Sequence, residues 1–597
     1  MSRLIHSDSV DGGSTDFRLT IRLLKFVLPH LPLLAIGFLS MLLSTFCSLI
    51  QPYLIKLVID KNLVAGTLNG FTRYVILFFL AVSGGMLFGY LQMIAVQTLG
   101  QRVILKIREK VFNQVMMLPL YYFDGTPSGR VITRITSDVE ALNEMISAGI
   151  VSVIGDLLLI MAITLILILL DVHLFLVTLI VIIFLLIFVQ AMKVRVRGVN
   201  RDMRGHTASL NSFLQEYISG IAVVKSFTRE AGVRDMFDRK NSAYREEGER
   251  LSTLYSLYFP GIGLLSSMAV ILILWRGGAG VYSGAVTLGT VIAFIGYLEK
   301  FFGPLRDMSD KYAILQSALA SCERIFSLID MHPSPEYSLP DNGGRVEVIK
   351  EMEEGHTSPV IEMRNISFDY GGEDVLKDFS LTLERGESVA IVGPTGAGKS
   401  TIVNLLLRFY DIQKGEILYR GIDIGSLSAE KLREQVILVP QEPYLFNGTV
   451  LDNILAGRPY EKNRLEVALR GCGILSFIQR FPEGLSTHVG ERGSSLSAGE
   501  RQLVSYARAL YRAPEVLILD EATSSVDPET EHELLSAMGV LMEGKASIVI
   551  AHRFQTVVKC DRIAVLLHGR VVEEGSHKEL MEMGEVYSKL YNIQAIS

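Results

Sequence analysis

Six long apolar runs before about residue 310 decide most of what this chain can fold into. Each is near or above the roughly 20 apolar residues that carry a helix across a bilayer. In lipid every backbone N–H and C=O must be paired internally, so each run is read as a spanning helix. The runs cover about Leu31 to Val58, Tyr74 to Val96, Ile150 to Leu170, Leu174 to Met192, Leu254 to Trp275 and Val286 to Phe302. They account for a mean hydropathy of +0.35 and a hydrophobic content of 49%. At 597 residues the chain exceeds one soluble core, and after about residue 340 its composition becomes that of an ordinary α/β domain.

Positive charge marks the cytosolic side of a membrane. The connectors between runs two and three and between runs four and five are about 50 and 60 residues long. Both are rich in basic residues, among them Arg102, Lys106, Arg108, Lys193, Arg195 and Arg197. They are therefore placed in the cytosol, with helical patterning that extends the spans beyond the bilayer. Runs three and four are joined by little more than Asp171-Val172-His173, and runs one and two by a link near Lys61 to Asn69. Runs five and six are joined by a Gly-rich segment, Gly277 to Gly284, read as a turn. Ahead of the first run, Phe17 to Val27 mixes Arg18, Arg22 and Lys25 with Leu19, Ile21, Leu23 and Leu24, the pattern of a helix lying in the cytosolic interface. The first sixteen residues are polar and do not read as a signal peptide, so the N-terminus is expected in the cytosol.

A net charge of −6 and a pI near 6.1 give no basic patch for a phosphate backbone, which argues against nucleic acid as a partner. Cys47, Cys322, Cys472 and Cys560 are far apart and form no CxxC pair, which argues against a zinc site or a disulfide framework. Asp156, Glu299 and Lys300 fall at membrane depth, with Gln51 and Gln92 as milder cases. Ionised groups there face a cavity or a partner. For these residues the sequence leaves both open: lining a cavity, or pairing with a neighbouring group.

The second half carries the chemistry. Val360 to Tyr370 alternates like a strand, and a Pro-, Gly- and acid-rich stretch, Asp330 to Ser358, reads as the linker before it. Ser388 to Val392 is a second strand, running into Gly393-Pro394-Thr395-Gly396-Ala397-Gly398-Lys399-Ser400 and a helix starting at Lys399. A strand, a Gly-rich loop and a helix N-terminus form a phosphate cradle: backbone N–H groups approach the phosphates and the helix dipole favours them. Lys399 is then expected on the β- and γ-phosphates and the Ser400 hydroxyl on Mg²⁺. Val516 to Thr523, VLILDEAT, reads as a buried strand ending in Asp520 and Glu521. Together these imply binding and hydrolysis of a nucleoside triphosphate.

Further motifs follow in order: VPQEPYLF with Gln441, LSAGERQ from Leu496 to Gln502, SSVD from Ser524 to Asp527, and IVIAHR with His552. This set resembles the Q-loop, signature, D-loop and switch histidine of the ABC ATPases, and Tyr370 matches their adenine-stacking aromatic. The membrane half resembles the exporter fold of ABC transporters. Tyr121 to Glu140 and Glu216 to Glu230 match the segments that carry coupling helices. The resemblance runs from about residue 17 to the end. It implies a six-span α-helical transmembrane domain, 17–329, after a polar segment, 1–16, then a linker, 330–358, and an α/β P-loop nucleotide-binding domain, 359–597.

By that resemblance ATP and Mg²⁺ are the cofactors. Gly393 to Thr401 and Tyr370 would hold the nucleotide of their own chain. Ser497 and Gly499 would cap the nucleotide held by a second subunit, and Gln441, Glu500 and Asp527 are also expected at the nucleotide. Ser400, Gln441 and Asp520 would serve the metal, and Glu521, His552, Gln441 and Lys399 the hydrolysis. Ala498 and Glu500 depart from the commonest signature, which has Gly and Gln there, and His488 stands where many exporters have Glu. With one ATPase domain and six spans the chain is expected to be a half-transporter, with a homodimer favoured over a heterodimer. An integral protein of a bacterial inner membrane is expected, its ATPase domain cytoplasmic, exporting hydrophobic or amphipathic small molecules or lipids. An ATP-gated channel, a regulatory subunit and an exporter-fold importer are the other readings of the same pattern.

Overall fold

In the computed structural model the described residues are 14–64, 70–332, 359–471, 475, 478, 483–520, 528–550 and 554–596. They form two compact units. One comprises the described residues up to Asn113 together with Gly129–Asp330, and the other Gln114–Ser128 with the described residues from Met331 onward.

The first unit is helical: α1 (Ser14–Val27), α2 (Leu31–Val58) and α3 (Phe71–Met116) come first. α4 (Leu120–Gly125) groups with the second unit. α5 (Ser128–Ile135), α6 (Ser137–Glu144), α7 (Val151–Leu170), α8 (Val172–Ser219), α9 (Ile221–Ser226), α10 (Glu230–Tyr282) and α11 (Leu288–Ile329) follow. Among the described residues, six helices are long and apolar enough to cross a membrane. α3, α8 and α10 are 46, 48 and 53 residues long. At about 1.5 Å per residue that is more than twice the ~30 Å hydrocarbon core, so the helices continue past it. Asp171 caps α8, its Oδ1 accepting from Leu174 N at 2.8 Å, which makes the hinge between α7 and α8 a single residue.

The turn expected over Gly277 to Gly284 is present only at its end, at Ser283 and Gly284, where Gly284 has φ of +74°. α10 continues to Tyr282, so Gly277 and Gly280 are helical. Their lack of a side chain serves packing: a Cβ on Gly277 would lie 2.9 Å from Val291 Cγ2, and one on Gly280 would lie 3.0 Å from Val286 Cγ2. Small residues let membrane helices approach closely.

α2 and α11 are pinned at both levels. Asp60, just past α2, accepts from the Thr287 hydroxyl at 2.7 Å and from Gly289 N at 2.8 Å. Farther along, the Tyr297 hydroxyl donates to Leu49 O at 2.7 Å. Lys300 donates to Ser48 Oγ at 2.9 Å and to Gln51 Oε1 at 3.3 Å, so α2 accepts two of its hydrogen bonds. Asp156 of α7 is ion-paired with Lys311 of α11.

In the second unit β1 (Ile361–Asp369), β2 (Asp374–Leu383), β4 (Lys414–Tyr419) and β5 (Ile422–Asp423) make an antiparallel sheet of order β2-β1-β4-β5. β3 (Ser388–Val392), β6 (Val436–Val439), β7 (Val516–Asp520), β8 (Ala546–Ile550), β9 (Arg562–Leu567) and β10 (Arg570–Gly575) make a sheet of order β10-β9-β3-β8-β7-β6. All its pairs are parallel except β10 with β9. β3 and β8 are buried along their whole length, which is why both are apolar apart from Ser388 and Ser547. α12 (Lys399–Leu406) follows β3, and α13 (Ala498–Arg512) precedes β7.

Candidate functional site

Parallel strands present their C-terminal ends on one side of a sheet, where α/β folds bind ligands. Here the neighbours β3, β8, β7 and β6 deliver the chemistry to that edge. β3 leads into the loop at 393–398 and α12, β7 ends on Asp520, β6 ends two residues before Gln441, and β8 ends two residues before His552. Glu521, Asp527 and His552 themselves lie outside the described residues, as do Cys472 and the linker 333–358.

The loop is built by its glycines. Gly396 and Gly398 have φ of +83° and +107°, in the left-handed region that favours glycine. A Cβ on Gly393 would lie 2.2 Å from Leu566 O, so only glycine lets β3 leave the sheet this close to β9. Lys399 is 6% exposed, and its ammonium donates to the carbonyls of Gly393 at 2.7 Å and Pro394 at 3.1 Å. Burial lowers its pKa while the charge of Asp520 holds it up, which places a carboxylate within electrostatic reach of the loop. Thr395, Pro394 and Ser400 are exposed at the mouth, and Ala397 and Thr401 are buried beneath it.

Tyr370 stands at the end of β1, half exposed. Its hydroxyl donates to Thr401 Oγ1 at 3.3 Å and accepts from Asn404 Nδ2 at 3.1 Å, which fixes the ring beside α12. Phe368 and Tyr410 meet it edge-on at ring-centre distances of 4.9 and 5.0 Å. Tyr410 in turn donates to Asp124 of α4, and burial followed by that carboxylate raises the pKa of its hydroxyl. The tip of the first long connector thus reaches Tyr370 through one side chain.

Gln441 is exposed, in a segment braced from behind. Asn453 is buried, donates to Phe446 O and Thr449 O at 2.9 and 3.0 Å, and accepts from Phe446 N at 2.8 Å. Arg508 of α13 donates to Asn453 O at 2.8 Å and to Tyr444 O at 3.3 Å. Sequence reasoning did not single out Tyr410, Asn453 or Arg508. Only Asn453 leaves a local trace, since it falls in the turn opened by the Thr449–Asp452 capping box.

Ser497 is the N-cap of α13. Its hydroxyl accepts from Glu500 N at 3.3 Å and its N–H donates to Glu500 Oε2 at 2.7 Å, a reciprocal capping box. Glu500 therefore has a structural task in this chain. Ser497 is exposed and Gly499 buried at the start of a helix whose positive end is open to an anion.

In the membrane unit a cavity of about 590 Å³ lies among α3, α7 and α11. Gln92, Gln97, Ser152 and Lys311 face it together with Met93 and Val151. Of the membrane-depth residues weighed from sequence, Gln92 is among the lining residues, and Asp156 meets the cavity's Lys311.

Residues 34–305 match the family model of the ABC transporter transmembrane region, and residues 376–524 match that of the ABC transporter. An ATP-dependent lipid A-core flippase of Syntrophus aciditrophicus is 35% identical over 96% of this chain and 94% of its own. A fatty acid ABC transporter ATP-binding/permease protein of Mycobacterium tuberculosis is 36% identical over 82% of this chain and 76% of its own. The solved structure of a bacterial Atm1-family ABC exporter with ATP bound has a TM-score of 0.75 at 28% identity, covering 94% of this chain and 98% of that one. Six spanning helices, the phosphate loop on a parallel sheet and these likenesses agree: the chain belongs to the ABC transporter family, as an exporter-type half-transporter whose ATPase is coupled to transport across a membrane.

Proposed function

We propose that two such chains form an ATP-driven exporter of amphipathic small molecules or lipids, working by alternating access in a bacterial cell membrane. The observation that carries this is the convergence of β3, β6, β7 and β8 on one edge. The loop 393–398 and the α12 N-terminus cradle the phosphates, Lys399 balances the β- and γ-phosphate charge, and Tyr370 stacks on the base. Ser400, Asp520 through water, and Gln441 offer the hard oxygen donors that suit Mg²⁺, which supplies charge neutralisation to the transferring phosphoryl group. Glu521 orients the attacking water, Gln441 reports on its position, and His552 contacts the γ-phosphate. Ser497 and Gly499, with the positive end of α13, close over the ATP of the second subunit, and Asp527 faces the same interface.

ATP binding draws the two ATPase domains together, and α4 and α9 pass this to the spanning helices. Shifting the closed state from 1:99 to 99:1 needs about 5.5 kcal/mol of differential binding. The cavity among α3, α7 and α11 mixes amide, hydroxyl and ammonium groups with apolar walls, which suits an amphipathic cargo. The named activities of the lipid and fatty acid relatives point the same way.

The test is ATP turnover by the chain purified alone in lipid nanodiscs, beside Glu521→Gln. Turnover that Glu521→Gln abolishes while ATP stays bound supports a competent homodimer. Turnover that survives the substitution overturns the role of Glu521. Binding without turnover in the unaltered chain overturns the homodimer and points to a missing partner subunit or a regulatory role.

A further inference from the structure

A second cavity, of about 430 Å³, shares Val96 and Val151 with the one that Lys311 lines, and takes the rest of its wall from other residues. Its wall is built from α1 (Leu23, Val27), α2 (Leu34, Phe38), α3 (Val96) and α7 (Ile154), and every residue on it is apolar. From Leu31 to Met41 the wall follows α2 for ten residues. At about 1.5 Å per residue this is about 15 Å, half of a ~30 Å hydrocarbon core and so the depth of one leaflet. The upper rim is α1, whose basic residues fit the cytosolic interface, so the leaflet is the cytosolic one.

We infer that this cavity is a binding site for one acyl chain of an anionic phospholipid from the cytosolic leaflet. The wall accounts for the chain, because it offers no hydrogen-bonding side chain to a polar molecule. The rim accounts for the headgroup. Lys25 is exposed on the polar face of α1, opposite the face that contributes Leu23, Leu24 and Val27 to the wall, at the same height in the interface. A lysine at this height attracts an anionic headgroup, and its short-range pull adds to burial of the chain. Arg22, one turn earlier, is held by both oxygens of Asp330 at the end of α11 and lies 4.4 Å over the Phe326 ring. The lipid would therefore be seated against a helix that is itself fastened to the last turn of α11. An annular lipid would bind without headgroup preference and would not require the cavity.

The experiment is native mass spectrometry of the full chain with phosphatidylglycerol and phosphatidylcholine supplied in equal amounts. It compares the unaltered chain, Lys25→Glu, and Ala35→Trp, which fills the cavity from an exposed position on its wall. The unaltered chain should retain phosphatidylglycerol about five-fold over phosphatidylcholine, as about 1 kcal/mol for one basic residue at the surface allows. Lys25→Glu should remove the preference, and Ala35→Trp should remove retention of both lipids. Thermal unfolding of each variant within a few degrees of the unaltered chain rules out a folding defect. Undiminished phosphatidylglycerol on a folded Ala35→Trp overturns the site. Equal retention of the two lipids by the unaltered chain overturns the anionic headgroup.

Discussion

At the level of single residues, the nucleotide site rests on positions where side-chain presence or absence is decisive. Lys399→Met keeps the buried stem and removes the charge that the phosphates need. ATPase activity should fall by about 10²-fold or more, the scale seen when one preorganised charge-stabilising donor is lost. Gly393→Ala acts differently. Its Cβ would meet Leu566 O at 2.2 Å, so β3 and β9 must separate. Overpacking of this kind costs about 1–3 kcal/mol, to be read as a lower unfolding temperature of the ATPase domain and weaker stabilisation by ATP. Both residues were legible in the sequence, because the phosphate loop is contiguous and its chemistry local. Tyr410 and Asp124 were not, because 286 residues separate them and no pattern within either segment names the other.

At the level of elements, the sequence was most informative where one face or one run is wholly apolar. β3 and the helix after it begin where the short apolar run and the loop chemistry place them. The glycines at 277 and 280 were misread as a turn because glycine signals both chain reversal and close approach, and only the neighbouring Val291 and Val286 distinguish the two. Close approach recurs at Gly289, where a Cβ would lie 2.5 Å from Lys56 O and 2.6 Å from Asp60 Oδ1. Gly289→Val should break the Asp60 tie between α2 and α11 and speed hydrogen exchange at the start of α11, with exchange in α13 unchanged. α1 is fastened through Arg22 and Asp330, and the guanidinium holds the Asp330 carboxyl below the usual carboxylate range. A lowered acid favours the charged, folded form, so this tie is complete at neutral pH. It is lost only as pH falls through the lowered value. The pair is partly exposed and worth about 1 kcal/mol or less. Asp330→Asn at pH 7 should therefore speed exchange in α1 about five-fold at most, and the difference from the unaltered chain should vanish in strong acid.

At the level of the whole molecule, α4, in the first long connector, is tied through Tyr410 to Tyr370, the residue proposed to stack on the base. Tyr410→Phe keeps the edge-on ring contact and removes the hydrogen bond to Asp124. ATP affinity should stay within about two-fold, while stimulation of ATPase by a transported amphiphile should drop by about ten-fold or more, since a lost hydrogen bond to a charged group costs about 1.5–3 kcal/mol. Equal loss of affinity and stimulation would assign Tyr410 to base binding alone. One ATPase domain and six spans called for a second subunit; what the sequence could not supply at this scale is whether that subunit is another copy, because an interface surface has no periodicity of its own.

The central claim is that each ATP is held by Lys399 of one chain and capped by Ser497 of the other. The most direct test mixes two defective chains. Lys399→Ala removes phosphate binding, and Ser497→Asp keeps a helix N-cap but sets a carboxylate against the phosphate. Dimers of either variant alone have no intact site. Dimers with one chain of each have one, made of Lys399 from the second and Ser497 from the first. Occlusion of one ATP per mixed dimer, with none in either parent, is the predicted result. Mixed dimers that occlude no more ATP than the parents would contradict the shared site.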